Sequence, residues 1–272
     1  MTQAAPGNRR DTQRMVRRVN PDVLAATPAG AAPWRPPPPD LVLGGDEVHV
    51  WRADLADLEA VDAVAPAAGI LTPDERERAA HVQPEGTRRR FVATRAALRH
   101  ILARYVDATP QAIRFAYGAD GKPTLAAGSG HLQFNLSHSD TLALCAVTRD
   151  RAVGIDVERI RSSVRIDGIA ARFFPAAEAA ALRALPERPR LEAFFASWVR
   201  KEAWIKATGK TIWRGLGDAA RLSTDGSWTD AFGRWQQVAV DAGAGYAAAL
   251  VVAGGPVRVA CWELTRIARQ RS

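Results

Sequence analysis

The sequence predicts an α+β fold, and three observations carry that prediction. Amphipathic helical stretches stand apart from the strand-like runs. Several of the strands follow one another as hairpins instead of alternating singly with helices. Each half supplies helices and then apolar strands, and Leu142–Val147 is similar in character to Ala248–Val252. These observations suggest two similar α/β halves, 41–150 and 151–272, with an extension at 1–40 before them.

Residues 1–40 contain eight of the 17 prolines, including the run Pro36 to Pro39, and sustain no apolar period. They read as a disordered Pro/Arg-rich extension. From Leu41 onward the patterning changes. Val48–Arg52 alternates as a strand does. Thr72–Val82 opens as a helix, with Thr72 as cap, Pro73 at its first position and acids in its first turn. Arg89–Val106 reads as a longer amphipathic helix, and Tyr117–Pro123 as a glycine-rich turn. Leu132–Ser137, Thr141–Thr148 and Ala152–Glu158 follow as strands. In the second half Ile169–Phe174, Pro175–Leu185 and Leu191–Thr208 read as helices. Tyr246–Val252 and Val257–Leu264 are expected to pair as strands across Gly254-Gly255.

Composition narrows the function. A chain of 272 residues, 47% of them apolar, has the size for a substantial core. No run of eighteen apolar residues predicts a membrane span. Two cysteines in apolar strand-like runs read as buried thiols, which fits the cytoplasm better than a disulfide scaffold. The net charge of +8 suits an anionic partner: a nucleic acid, a phosphorylated cofactor or an acidic protein. No zinc-type Cys/His spacing and no nucleophile-elbow motif is present.

Three carboxylates stand out. In Val153–Glu158 the strand period sends Val153, Ile155 and Val157 to one face and Gly154, Asp156 and Glu158 to the other. Gly154 is expected to leave open space beside the two acids. On the Leu191–Thr208 helix, Phe194, Phe195, Trp198 and Ile205 form an apolar stripe, and Glu202 falls near its centre. A carboxylate facing the core needs a partner. Lys206, one turn on, would give a structural pair; a cation shared with Asp156 and Glu158 would give a site, and hard carboxylate oxygens suit magnesium.

The anion-binding candidates are weaker. Gly118-Ala119-Asp120-Gly121-Lys122 offers backbone N–H groups and a lysine without P-loop spacing. Asn135-Leu136-Ser137-His138-Ser139 places hydrogen-bonding groups ahead of an apolar strand. Arg78, Arg90, Arg95 and Arg99 lie on the two early helices, where most arginines are solvated.

In chain order, GKPTL with FNLSHS, then VGIDVE, then WVRKEAWIKATGK resemble the signatures of the Sfp-type 4'-phosphopantetheinyl transferases. The resemblance is close over about residues 70–215. It implies a monomer of two pseudo-twofold-related halves with coenzyme A in the cleft between them. It also implies a magnesium-dependent transfer of the 4'-phosphopantetheine arm from coenzyme A to a serine of an apo acyl or peptidyl carrier protein. By the same resemblance Asp156, Glu158 and Glu202 are the metal ligands. Glu202 is also the base, and Lys206 neutralises charge on the phosphates; Lys201 belongs to the same motif but points off the apolar stripe. Arg78, the Gly118–Lys122 turn, Asn135, Ser137 and His138 would hold the nucleotide. The competing readings are a non-catalytic coenzyme A-binding relative and a basic nucleic-acid-binding protein. Three places depart from the pattern: Glu75, at a site that is basic in some relatives, Val199, and the stretch Gly209–Leu216.

Overall fold

A computed structural model describes residues 31–59, 67–118, 122–126, 131–210, 227–230 and 233–264. Their fold is mixed α+β, in four layers. One sheet has the order β1 (Trp34–Arg35), β11 (Arg258–Glu263), β2 (Glu47–Asp54), β6 (Leu142–Arg149), β5 (Leu132–Ser139). A second sheet has the order β7 (Val153–Arg159), β10 (Tyr246–Ala253), β9 (Gly233–Ala239), β8 (Ser227–Asp230). The strands β3 (Phe115–Tyr117) and β4 (Pro123–Leu125) form a small ribbon of their own. The helices are α1 (Ala56–Glu59), α2 (Pro73–His81), α3 (Glu85–Ala103), α4 (Ile166–Phe173), α5 (Ala176–Arg183) and α6 (Glu187–Thr208).

Strand periodicity builds the layers. β6 is buried along almost its whole length, as a central strand between two covered faces must be. Its Leu142, Leu144 and Ala146 meet Val153, Ile155 and Val157 of β7 between the two sheets. Its Cys145 and Val147 turn the other way, to Leu98, Ile101 and Leu102 of α3. On the far side of the second sheet, Val199, Ala203, Trp204 and Ala207 of α6 pack on Trp235, Ala249 and Val251. The alternation read at Val153–Glu158 therefore sets Val153, Ile155 and Val157 in the inter-sheet core. Both cysteines are buried and free.

Two expectations are corrected. Tyr246–Val252 and Val257–Leu264 do not pair with each other. Both neighbours of β10 are already supplied, by β7 and β9, and the chain turns at Gly254 (φ 100°) to lay β11 parallel to β2 in the first sheet. Arg95 and Arg99 are not solvated. Arg99 is buried, donates through Nε to Glu75 Oε2 at 2.8 Å, and binds the carbonyls of Pro110 and Ile113. Arg95 lies 3.1 Å from the other Glu75 oxygen. Glu75 also accepts the Thr72 N–H at the start of α2. This explains an acid at position 75: it neutralises two arginines inside the protein, where an unpaired charge would cost several kcal/mol.

Within the stretch expected as an extension, Trp34–Arg35 forms β1 beside β11, and the Trp34 indole N–H donates to the Asp241 carbonyl. Residues 1–30 lie outside the described residues.

His49 on β2 is only 2% exposed. Its Nδ1 is 2.9 Å from the Tyr105 hydroxyl, which accepts the Trp51 indole N–H at 2.6 Å. The hydroxyl's one proton is left to bind His49 Nδ1, which makes the ring a neutral acceptor. Burial draws the His49 pKa down to about 4, against the opposing pull of Glu47. Protonation therefore favours the unfolded chain, whose histidine has its ordinary pKa of about 6.5. Stability is full above that pH and falls as pH drops toward 4, by roughly 3 kcal/mol in all. Urea unfolding at pH 7.5, 6 and 5 checks this, and His49→Gln should flatten the slope by up to one proton.

Candidate functional site

The site forms where β5, β7 and α6 meet. α6 runs from Glu187 to a left-handed cap at Gly209 (φ 68°), a conformation glycine adopts without strain. Its burial is wider than one stripe. Phe194 and Phe195 pack toward α4 and α5, while Ala203 and Ala207 press on the second sheet. Glu202 sits among these buried residues at 8% exposure.

Gly154 explains the close approach of α6 to β7. A Cβ there would collide with the Ala203 carbonyl oxygen and the Ala207 amide nitrogen, and would lie 3.0 Å from the Ala207 Cα. The expectation of open space beside Gly154 is thus corrected: helix backbone fills it. Glycine lets the two backbones touch. The residues flanking that contact on the helix are Glu202 and Lys206.

The lysine does not pair with Glu202 as a simple helical neighbour would. Lys206 Nζ is 2.7 Å from Asp156 Oδ1 on β7 and 2.8 Å from Ser137 Oγ on β5. The Ser137 hydroxyl itself donates to Asp156 Oδ1 at 2.7 Å. Two donors therefore converge on one oxygen of Asp156. The other, Oδ2, is buried with no hydrogen-bond partner. Glu158 accepts from Ser139 Oγ at 2.7 Å. Burial, and then the neighbouring Asp156 charge, raise the Glu158 pKa despite the Ser139 bond. Glu202 is pushed up to about 7, mostly by burial and then by Asp156, with Glu158 adding to it and Lys206 opposing it.

Asp156 thus opposes the ionisation of Glu158, and both oppose that of Glu202, in a partly dry place. A cation among them would reverse that opposition. Among the described residues no three His, Cys, Asp or Glu side chains make a ready-made cation cage. Lys206 and the two serines take oxygens that a complete cage would use. The donor set nonetheless fits magnesium. It consists of hard oxygens only, one of them buried without a partner, and magnesium keeps several waters and takes few protein ligands.

The nucleotide candidates divide. Asn135 and Ser137 lie on the same face of β5 as Ser139, and Asn135 Oδ1 accepts the Ile155 N–H at 2.9 Å. These side chains engage β7 directly. His138 points to the opposite, α3-facing side and is exposed. Partial desolvation of its ring, then the charges of Lys206 and Arg90, hold its pKa below the usual value. Lys122, ahead of β4, reaches the Lys206 carbonyl at 2.7 Å and the Val153 carbonyl at 3.3 Å. Two of its three protons thus brace α6 against β7, and burial lowers its pKa. Arg78 is exposed and stacks 4.7 Å over the Tyr117 ring, beside the start of the Gly118 turn. Ala119, Asp120 and Gly121 lie outside the described residues, as do Thr211–Leu216 of the departing stretch.

Three further side chains shape the surroundings of the site. Ser139 continues the alternation of Asn135 and Ser137, a signal that was present in NLSHS. Tyr117 accepts from Arg95 and carries Arg78 on its ring. Lys201, on the α6 face turned away from the carboxylates, binds both Glu178 oxygens at 2.9 Å and the Ser197 hydroxyl, and so ties α6 to α5. A separate groove of about 450 Å³, lined by Val164, Arg165, Asp167, Glu187, Arg190 and Leu191, lies at the other end of α6, ~22 Å along the helix from Glu202. Among the described residues no helix is long and apolar enough to cross a membrane.

A family model described as the 4'-phosphopantetheinyl transferase superfamily matches residues 152–251. The chain is 44% identical over 182 residues to the 4'-phosphopantetheinyl transferase HetI of a Nostoc species, covering 66% of this chain and 76% of that protein. It is 34% identical over 148 residues to the putative 4'-phosphopantetheinyl transferase slr0495 of a Synechocystis species, covering 54% and 60%. It is 40% identical over 143 residues to the 4'-phosphopantetheinyl transferase psf-1 of Bacillus pumilus, covering 52% and 59%.

Proposed function

The chain belongs to the 4'-phosphopantetheinyl transferase superfamily, and from that premise we propose that it moves the 4'-phosphopantetheine arm of coenzyme A onto a serine of an apo acyl or peptidyl carrier protein, with magnesium. The observation that carries the proposal is the gathering of Asp156, Glu158, Glu202 and Lys206 where β7 meets α6, with one Asp156 oxygen buried and unpartnered.

In this reading Asp156 Oδ2, Glu158 and Glu202 would hold the metal. Bound magnesium would supply a Lewis acid for the pyrophosphate of coenzyme A. The carrier serine hydroxyl forms a new O–P bond at the β-phosphate, and the bond to the leaving 3',5'-ADP breaks. The serine proton passes to Glu202, directly or through a water. A carboxylate whose pKa is about 7 is suited to that task at neutral pH. Lys206 has a third N–H beyond those given to Asp156 and Ser137, which can meet the charge that builds on the departing phosphate.

The test is mass spectrometry of apo carrier proteins after incubation with the full chain, coenzyme A and magnesium. The expected result is a mass increase of one phosphopantetheine arm, abolished by EDTA and restored by magnesium. No increase on any of a panel of fatty-acid, polyketide and nonribosomal-peptide carriers would overturn the proposal. Increase that persists in EDTA would overturn its metal component alone.

A further inference from the structure

β5 and β7 are the facing edges of two different sheets, and side chains join them where a strand ladder would otherwise run. Asn135, Ser137 and Ser139 alternate along one face of β5, roughly 7 Å apart at successive positions. Asn135 accepts the Ile155 N–H, and Ser139 accepts the Arg159 N–H at 3.0 Å. Each satisfies an outward amide of an edge strand, and that of Ile155 would otherwise be buried unpaired. Ser137, between them, is engaged with Asp156 and Lys206.

Ser139 does a second thing. Its oxygen receives the Arg159 N–H, so its single proton is free to go to Glu158 Oε2. Ser139 is buried, which leaves the hydroxyl little choice of other partner. Backbone and carboxylate of consecutive residues, Glu158 and Arg159, are thereby pinned by one atom. A ligand side chain held this way keeps one oxygen occupied and its rotamer fixed before any cation arrives.

We infer that Ser139 is a positioning residue for the cation site, acting through Glu158. The inference rests on the function proposed above. It concerns a residue that touches neither the metal nor the reacting atoms.

The experiment compares wild type, Ser139→Ala and Ser139→Thr as full chains. Coenzyme A binding is measured by calorimetry in EDTA and across a magnesium series, and thermal melts are recorded in parallel. Ser139→Ala should raise the magnesium concentration for half-maximal tight binding by about 10–100-fold, the range for loss of a partner that orients a ligand. Its binding of coenzyme A in EDTA should match wild type, and Ser139→Thr, which keeps the hydroxyl, should recover most of the loss. An alanine variant that titrates with magnesium as wild type does would overturn the inference. So would one whose binding falls equally in EDTA, or one that loses its cooperative melt, since either makes the hydroxyl a brace between sheets only. Wild-type binding that is indifferent to magnesium would instead overturn the metal reading on which the inference stands.

Discussion

Glu202→Gln is expected to lower phosphopantetheine transfer by about 10³-fold while leaving the fold in place. Two losses combine. The amide cannot take the serine proton, and a general base contributes roughly 10²–10⁴-fold. It is also a poorer oxygen donor to a hard cation than the carboxylate it replaces. The fold should survive because glutamine has nearly the same shape and carries no charge into a place where burial, Asp156 and Glu158 all oppose one. In the absence of magnesium the variant should melt no lower than wild type. Single-turnover transfer to an apo carrier, alongside a melt in EDTA, checks both halves. Transfer within threefold of wild type would remove Glu202 from the role of base.

Gly154→Ala should be as damaging by a different route. The added methyl meets backbone atoms of Ala203 and Ala207, and no side chain can swing aside to admit it. The helix must lift from the strand. Overpacking of this kind costs about 1–3 kcal/mol, and a backbone clash belongs at the upper end. The more telling loss is in activity. Glu202 and Lys206 flank the contact, so they move away from Asp156 together. A displacement near 1 Å in a positioned group can cost about 10²-fold. Denaturant unfolding gives the first figure, and transfer well below the unfolding midpoint gives the second. A variant with wild-type transfer would show that the close approach is not needed for the site.

Much of this site could be read along the chain, and the reasons are local. The period of two in Val153–Glu158 sorts core from site correctly, because β7 is buried on both faces by different layers. The helical phase of Glu202 identifies a buried acid. What the sequence could not supply is depth. It shows Gly154 as a small residue but not that another backbone lies against it, and it shows Lys206 one turn from Glu202 but not that Asp156 on β7 is nearer. Lys122 looked like a phosphate ligand because glycine-rich turns with lysine often are. Its bonds to the Lys206 and Val153 carbonyls come from the meeting of two segments 84 and 31 residues away. The pairing of β10 with β11 failed for a similar reason: a Gly-Gly turn announces a change of direction without saying which sheet the chain enters next.

The placement of β11 carries a consequence for synthesis. The first sheet has β11 between β1 and β2, so an inner strand of that sheet is contributed by residues 258–263. A chain emerging from the ribosome exposes β2, β5, β6 and α3 long before this strand exists. Domains usually fold in order of their appearance, amino-terminal part first. Here the early part waits with the β11-facing edge of β2 open, and the gap closes only when β11 arrives. Completion of the first sheet is therefore a late event, and the edge of β2 is the surface that a chaperone, or an aggregating neighbour, would meet in the interval.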